Sequence, residues 1–425
     1  MNAPESSTVE YPSLRPAPNI GLGATLIGAE EEANVLEVVR SGKLFRYIYD
    51  AEPADQGKMT GTLERELAAL HGTRFALALT SGTAALHVSL MALGVGPGDE
   101  VIVPAWSWIS CYTTVALLGA KPILAEIDES FCLDPEEIDR LVTPKTKVVL
   151  VVHYQGVVAA MDPILEKART HGLSVLEDAA ESPGAIYNGN RVCSMGDIGI
   201  LSFQFNKCIT AGEGGAVLTN DPELYERAVR AHDLGLFRPY HSTWTKATMA
   251  GFPATQYRMN ELTAAVGLAQ VRKLEGLRAT CRELSEKIIP KIKDLQGIKL
   301  RQIPANENDC GYEIYFQVKT PELAVKLAKK LQAHNVNCRK MTRTYPHYAA
   351  DYCTQRTSHA ESANVFRDES IWPAEGYRVE DFPKTNDIID RFVVIPLGPK
   401  YSLEDAEYVG DCILAAYSEL ADQLN

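Results

Sequence analysis

Between Gly61 and Asn220 the chain alternates short β-branched runs with helical ones, and this alternation constrains the fold more than any other feature. The runs "DEVIVPAW", "KPILAEID", "KVVLVVHY", "SVLEDAA" and "IGILSF" are bounded by turn residues or lead into helical patterns such as "SGTAALHVSLMALG" and "DPILEKARTHG". Such a pattern predicts an α/β fold: a large, doubly wound, mostly parallel sheet covered on both faces by helices. Ligands in sheets of this kind bind beyond the carboxyl ends of the strands, so the loops there are where function is sought.

The remainder divides the chain. In "NDPELYERAVRAHD" Asp221 is placed to cap a helix that has Pro222 in its first turn. From Asn260 to about Gly297 the sequence is periodic and predicts a long connecting helix, with Pro290 as the expected point of a break. Beyond it "YEIYFQV", "TPELAVKLAKKLQAHN", "RFVVIPL" and "SLEDAEYVGDCILAAYSEL" predict a smaller α/β domain. A chain of 425 residues exceeds the size at which single cores stop growing. The expected division is a poorly ordered, Pro-rich arm over 1–20, a large domain over 21–275 and a smaller one over 276–425. The loop at 45–61, "FRYIYDAEPADQGKMTG", is long, polar and studded with aromatics, as functional loops often are.

A net charge of −13 argues against a nucleic-acid binder, which needs clustered Lys and Arg, but leaves room for one locally bound anion. The nine cysteines are scattered, with no CxxC pair and no Cys/His cluster, so they read as buried free thiols and no metal site is expected. The first residues lack a basic segment followed by an apolar stretch, and no window is apolar for the length of a membrane helix. A cytoplasmic protein is expected.

Four motifs bear on chemistry, and each has a plain structural reading beside the chemical one. "TSGTAALHVSL" sets Ser81, Gly82 and Thr83 at a helix start, where free amides and the dipole favour phosphate; alone, it is a cap. "SVLEDAAE" ends a strand with Glu177 and Asp178, either a functional carboxylate or a helix cap. In "PAWSWISC", Trp106 and Trp108 stand at alternate positions and so face opposite ways, one toward the core and the other free to face a ligand. Lys207, in "SFQFNKCITAGEGG", is a solvated loop charge or, if desolvated among positive groups, a neutral amine able to form a Schiff base. Phosphate anchor, stacking face, carboxylate and amine are together the parts that pyridoxal phosphate requires.

With these motifs in place, and with "GAEEEANVLEVVRSG", "GVGPGDEVIVP", "YRMNELTAAVGLAQ" and "IPLGPKYSLEDAEYV", the sequence resembles the DegT/StrS-type sugar aminotransferases, a branch of the fold type I pyridoxal phosphate enzymes. The likeness runs from about Gly28 to the C-terminus. It implies that Lys207 forms the Schiff base and moves protons, and that Asp178 pairs with the cofactor's ring nitrogen. Trp108 would stack on the ring, and Gly82, Thr83 and Ser202 would bind the phosphate. Two positions depart from the family pattern: Glu181 stands where a Gln usually faces the phenolic oxygen, and Gln256 where an Asn reaches the partner subunit's phosphate. Arg258 lies in a stretch the family uses near its subunit interface. For the substrate, Arg46 and Tyr47 of the long loop, Arg258, and Tyr345 and His347 of "RKMTRTYPHY" are candidates.

The activity so implied is ping-pong transfer of an amino group from glutamate or glutamine to a keto or aldehyde sugar, sugar acid or cyclitol, in a homodimer with shared active sites. The competing readings are a sugar dehydratase of the same family, whose lysine is replaced by histidine, and a catalytically silent homologue. Lys207 opposes the first, and the intact lysine, aspartate and phosphate motifs oppose the second. A nicotinamide dehydrogenase is disfavoured because no GxGxxG joins an early strand to a helix.

Overall fold

The computed structural model describes residues 11–15, 22–47, 58–238, 247–304, 310–342, 346–350, 355, 357 and 376–424. Its first half is the alternation read from the sequence. Helix α1 (Ala29–Ser41) and α2 (Lys58–His71) precede β1 (Phe75–Leu79), α3 (Gly82–Ala92), β2 (Glu100–Pro104), α4 (Ser110–Leu117) and β3 (Lys121–Ala125). Then come α5 (Glu136–Leu141), β4 (Thr146–Val152), α6 (Met161–His171), β5 (Ser174–Asp178) and a hairpin of β6 (Ile186–Tyr187) and β7 (Asn190–Arg191). Strands β8 (Ile198–Ser202) and β9 (Gly215–Thr219) complete the region, followed by α7 (Pro222–His232).

Seven strands form one sheet in the order β1-β9-β8-β5-β4-β2-β3. Every neighbouring pair among β8, β5, β4, β2 and β3 is parallel, and β9 alone runs against its neighbours. The strands are apolar on both faces because helices cover both sides, and their residues are almost all buried. Strands β1, "FALAL", and β9, "GAVLT", are additions to the five runs expected. The first is Ala/Leu-rich and reads equally as helix, and the second is reached through glycines.

Asp221 accepts from the Glu223 and Leu224 amides and so caps α7. Helix α8 (Glu261–Ile292) starts on Asn260, whose side chain accepts from the Thr263 amide, and runs through Pro290 without a break. The expected interruption is absent because Pro290 and Glu286, whose carbonyl loses its helical donor, both lie on the exposed side. Leu284, Ile288 and Ile292 stay packed on the other side.

The second half holds β10 (Lys299–Leu300), β11 (Glu313–Gln317), α9 (Pro321–Ala333), β12 (Arg339–Lys340), α10 (Pro383–Arg391), β13 (Phe392–Pro396) and α11 (Leu403–Leu424). Its four strands form an antiparallel sheet in the order β10-β11-β13-β12. Two hydrophobic clusters result, one around the large sheet and one around the small, and α8 contributes Leu274, Leu277 and Cys281 to the first and Leu284 onward to the second. Within the N-terminal arm, Tyr11 stacks on His334 with ring centroids 3.7 Å apart, and Arg15 pairs with Glu404 and Asp405. Eight cysteines are buried free thiols, and Cys353 lies outside the described residues. Among the described residues, no helix is long and apolar enough to cross a membrane and no His/Cys/Asp/Glu group is arranged to hold a metal.

Candidate active site

A cavity of about 740 Å³ opens at the carboxyl ends of the parallel strands. Five of the seven strands deliver a side chain to it: Ser81 follows β1, Trp108 follows β2, Tyr154 follows β4, Asp178 ends β5 and Ser202 ends β8. From the smaller region, Tyr312 and the segment Arg339–Thr342 close the opposite wall.

At the start of α3 the Ser81 hydroxyl accepts from the Ala84 amide at 3.0 Å, which leaves the first amides of the helix facing the cavity's end. Gly82 is required there, since a Cβ on it would lie 2.8 Å from Ser202 Cβ and 3.0 Å from Ser202 Oγ. That closeness brings hydroxyl and helix start together in a cradle for a phosphate-sized anion.

Alternation along β5 separates the two carboxylates. Glu177 turns away, accepting from His153 Nε2 at 2.9 Å and from the Cys193, Met195 and Gly196 amides. Asp178 faces the cavity; its Oδ1 accepts from the Ala180 amide at 2.9 Å and its Oδ2 from the Cys111 thiol at 3.2 Å. Burial pushes the Asp178 carboxyl above the ordinary aspartate range, only partly offset by Ala180, Cys111 and Lys207. A cationic nitrogen beside it would complete the balance. Burial also holds the Cys111 thiol well above its usual range, so it stays a donor.

The two tryptophans divide as expected. Trp106 is buried at 2% exposure and packs edge-on to Tyr154, whereas Trp108 is 56% exposed and lines the cavity.

Lys207 sits in the tight loop after β8, where its amide donates to Gln204 O and its carbonyl accepts from the Gly23 amide. The loop closes back through Phe203 N to Gly214 O at 2.8 Å, with Gly214 at φ 156° against Phe203 and Met259. The Nζ atom points into the cavity and donates to Glu181 Oε1 at 3.0 Å. The sequence expectation of an amine desolvated among positive groups is corrected here. Burial pulls the pKa of Lys207 down, but the charge and hydrogen bond of Glu181, with Asp178 behind it, hold it above the ordinary lysine value.

Of the residues read as site candidates, Gly82, Thr83, Trp108, Asp178, Glu181, Ser202 and Lys207 all line this one cavity. Gln256 is exposed and pairs across a bridge with Asp233, and Arg258 is bound to Asp233; neither lines the cavity of its own chain. Arg46 is buried, donating to Glu64 and Ala78 O, and Tyr47 is buried with its hydroxyl 3.3 Å from His232 Nε2. Burial pushes the Tyr47 phenol up to about 12. Arg46 turns into the protein, where Glu64 supplies its counter-charge, Tyr47 turns toward His232, and neither lines the cavity. His347 is likewise buried, stacked on Tyr112 and with its amide on Ala105 O, while Tyr345 lies outside the described residues. From the same stretch it is Arg339 and Lys340, held by Glu313 and Asp390, that reach the cavity wall. Cys111 and Tyr312 were not singled out. Cys111 follows the tryptophan pair by one helical turn, and that spacing is the signal that marks it.

The residues present suit pyridoxal phosphate on these observations: a cradle that a Cβ would fill, a buried carboxylate short of positive charge, an exposed indole face and an amine between them.

Comparison with known proteins bears on the same site. Residues 27–414 match the model of the DegT/DnrJ/EryC1/StrS aminotransferase family. GDP-perosamine synthase of Caulobacter vibrioides is 38% identical over 259 residues, which is 61% of this chain and 66% of that protein's length. The crystal structure of 3-amino-5-hydroxybenzoic acid synthase is 28% identical with a TM-score of 0.76, covering 96% of this chain and 100% of that one. S. venezuelae DesV, solved in complex with a ketimine intermediate, is 26% identical with a TM-score of 0.74, covering 94% and 98%.

Proposed function

This chain belongs to the DegT/DnrJ/EryC1/StrS aminotransferase family, and from that premise we propose that it is a pyridoxal phosphate-dependent sugar aminotransferase, moving nitrogen from glutamate or glutamine to a keto or aldehyde sugar, sugar acid or cyclitol. The observation that carries the reading is the meeting of Lys207, Asp178, Trp108 and the Gly82–Ser202 cradle in one cavity of about 740 Å³. The relatives are named for amine-bearing products, GDP-perosamine and 3-amino-5-hydroxybenzoic acid, which supports an amine-forming reaction and leaves the acceptor's class broad.

The bound cofactor supplies an electron sink that lets nitrogen be left behind by a donor and collected by an acceptor in turn. The chain's own residues do the rest. Gly82, Thr83 and Ser202 anchor the phosphate end through amides and hydroxyls. Asp178, fixed by Ala180 and Cys111, would keep a proton on the cofactor's ring nitrogen, since a buried carboxylate stabilises a neighbouring cation. Trp108, on the cavity wall, would offer its indole to the cofactor's ring. Glu181 lies beside Lys207, the residue that would hold the cofactor covalently and that carries protons to and from the reacting carbon.

Gln256 and Arg258 have no place in their own chain's cavity, which supports a homodimer in which each chain completes the other's site. Exposed Phe45, over whose ring Arg238 and Arg258 lie, together with exposed Leu44, Leu234 and Leu236, supports a face covered by a second copy. The buried free thiols support a reducing, cytoplasmic setting.

Purified protein given pyridoxal phosphate is expected to turn yellow, and glutamate or glutamine to bleach the band. A protein that stays colourless throughout removes the proposal.

A further inference from the structure

Glu181 stands three residues beyond Asp178, in the turn that follows β5, with its carbonyl fixed by the Gly156 amide at 3.0 Å. Its side chain is 17% exposed and that of Lys207 21%. Oε1 accepts from Lys207 Nζ at 3.0 Å, whereas Oε2 is buried with no hydrogen-bond partner among the described residues. A carboxylate so placed has lost much of its water, and Lys207 is the cation it touches. The carboxylate at this distance favours the charged form of Lys207.

Resting on the aminotransferase reading, we propose that Glu181 is a positioning residue that holds Lys207 Nζ in its cationic state, both as the free ammonium and after the nitrogen has bonded to the cofactor. Other titratable groups around the pair do not replace it. Asp178 acts on Lys207 more weakly than Glu181 does and is already engaged by Ala180 and Cys111. Cys208, Tyr154 and Tyr312 are driven by burial toward their neutral forms. Arg339 and Lys340 on the far wall are committed to Glu313 and Asp390, and Glu213 lies at the exposed lip.

The consequence concerns loading. Only the neutral amine adds to the cofactor's aldehyde carbon. The ammonium first gives one proton to the buffer; the amine's remaining two protons leave with the carbonyl oxygen as water, and the resulting C=N nitrogen takes up one proton when it is cationic. Glu181 opposes the first proton loss and favours the last proton uptake.

Two measurements on wild type, Glu181→Gln and Glu181→Asp test this. In cofactor-free protein, competitive acetylation followed by mass spectrometry across pH reads the midpoint at which Lys207 becomes reactive. It is expected to fall by about one pH unit or more in Glu181→Gln, a tenfold or greater change in the neutral fraction, and to return toward wild type in Glu181→Asp. In protein given pyridoxal phosphate, the visible band of Glu181→Gln is expected to form about tenfold faster at neutral pH and to titrate at lower pH than that of wild type. Equal acetylation midpoints in wild type and Glu181→Gln overturn the proposal. Because acetylation needs no cofactor, wild type that never develops a visible band refutes the aminotransferase reading while the acetylation result still decides the role of Glu181.

Discussion

Gly82 shows how narrowly single residues set the site. Its missing Cβ leaves room for Ser202 beside the helix start, and a methyl group there would stand 2.8 Å from Ser202 Cβ. Gly82→Ala is therefore expected to weaken pyridoxal phosphate binding about tenfold or more, read by fluorescence titration, with the far-ultraviolet circular dichroism unchanged. Unaltered affinity would mean that the phosphate lies elsewhere. Part of this scale is legible in sequence: alternation sets Glu177 against Asp178 and Trp106 against Trp108 on opposite sides, while the family resemblance, not the pattern, picks Asp178 and Trp108 as the members that face the cavity. Arg46, Tyr47 and His347 were not legible. A basic or aromatic side chain in a loop carries no sign of its direction, and the buried Glu64 that draws Arg46 inward stands eighteen residues along the chain.

Elements are held by interactions whose partners come from distant segments, and His71 at the end of α2 is one. Its Nδ1 meets Val192 O at 2.8 Å, its Nε2 has no partner among the described residues, and burial pulls its pKa from 6.5 to about 4. Above pH 6.5 the ring is neutral whether the chain is folded or not. Below that, only the unfolded chain takes the proton, so stability falls as pH drops from 6.5 to about 4 and then levels, a loss of about 3 kcal/mol from this group. His71→Asn, whose amide can still donate to Val192 O, is expected to lose less than wild type in urea midpoint between pH 7 and pH 5. Parallel losses would show that His71 does not carry the effect. The parallel strands and the α7 cap were evident from periodicity and from Asp221-Pro222, since the local chemistry there agrees with the fold. The continuity of α8 was not, because a proline's cost depends on whether the abandoned carbonyl faces water, which only packing decides.

Across the whole molecule the two hydrophobic clusters share α8, and the cavity lies where Tyr312 and Arg339–Thr342 of the smaller region face the strand ends of the larger. Motion of one region against the other would therefore open or close the wall that carries Arg339 and Lys340. The proposed homodimer would cover the exposed Leu44, Phe45, Leu234 and Leu236 and bring Gln256 and Arg258, which lie outside their own chain's cavity, toward the partner. Light scattering is expected to give twice the chain mass of 46.6 kDa, and a monomer with full activity would contradict it. Sequence patterns expose such a surface poorly, because apolar residues bound for a partner look like those bound for the core. The central claim is that Lys207 is the amine that carries the cofactor, and its most direct test is borohydride reduction of the yellow protein followed by peptide mapping. A pyridoxyl adduct on Lys207, absent from Lys207→Ala, is the predicted result; an adduct on another lysine, or none, would contradict the account.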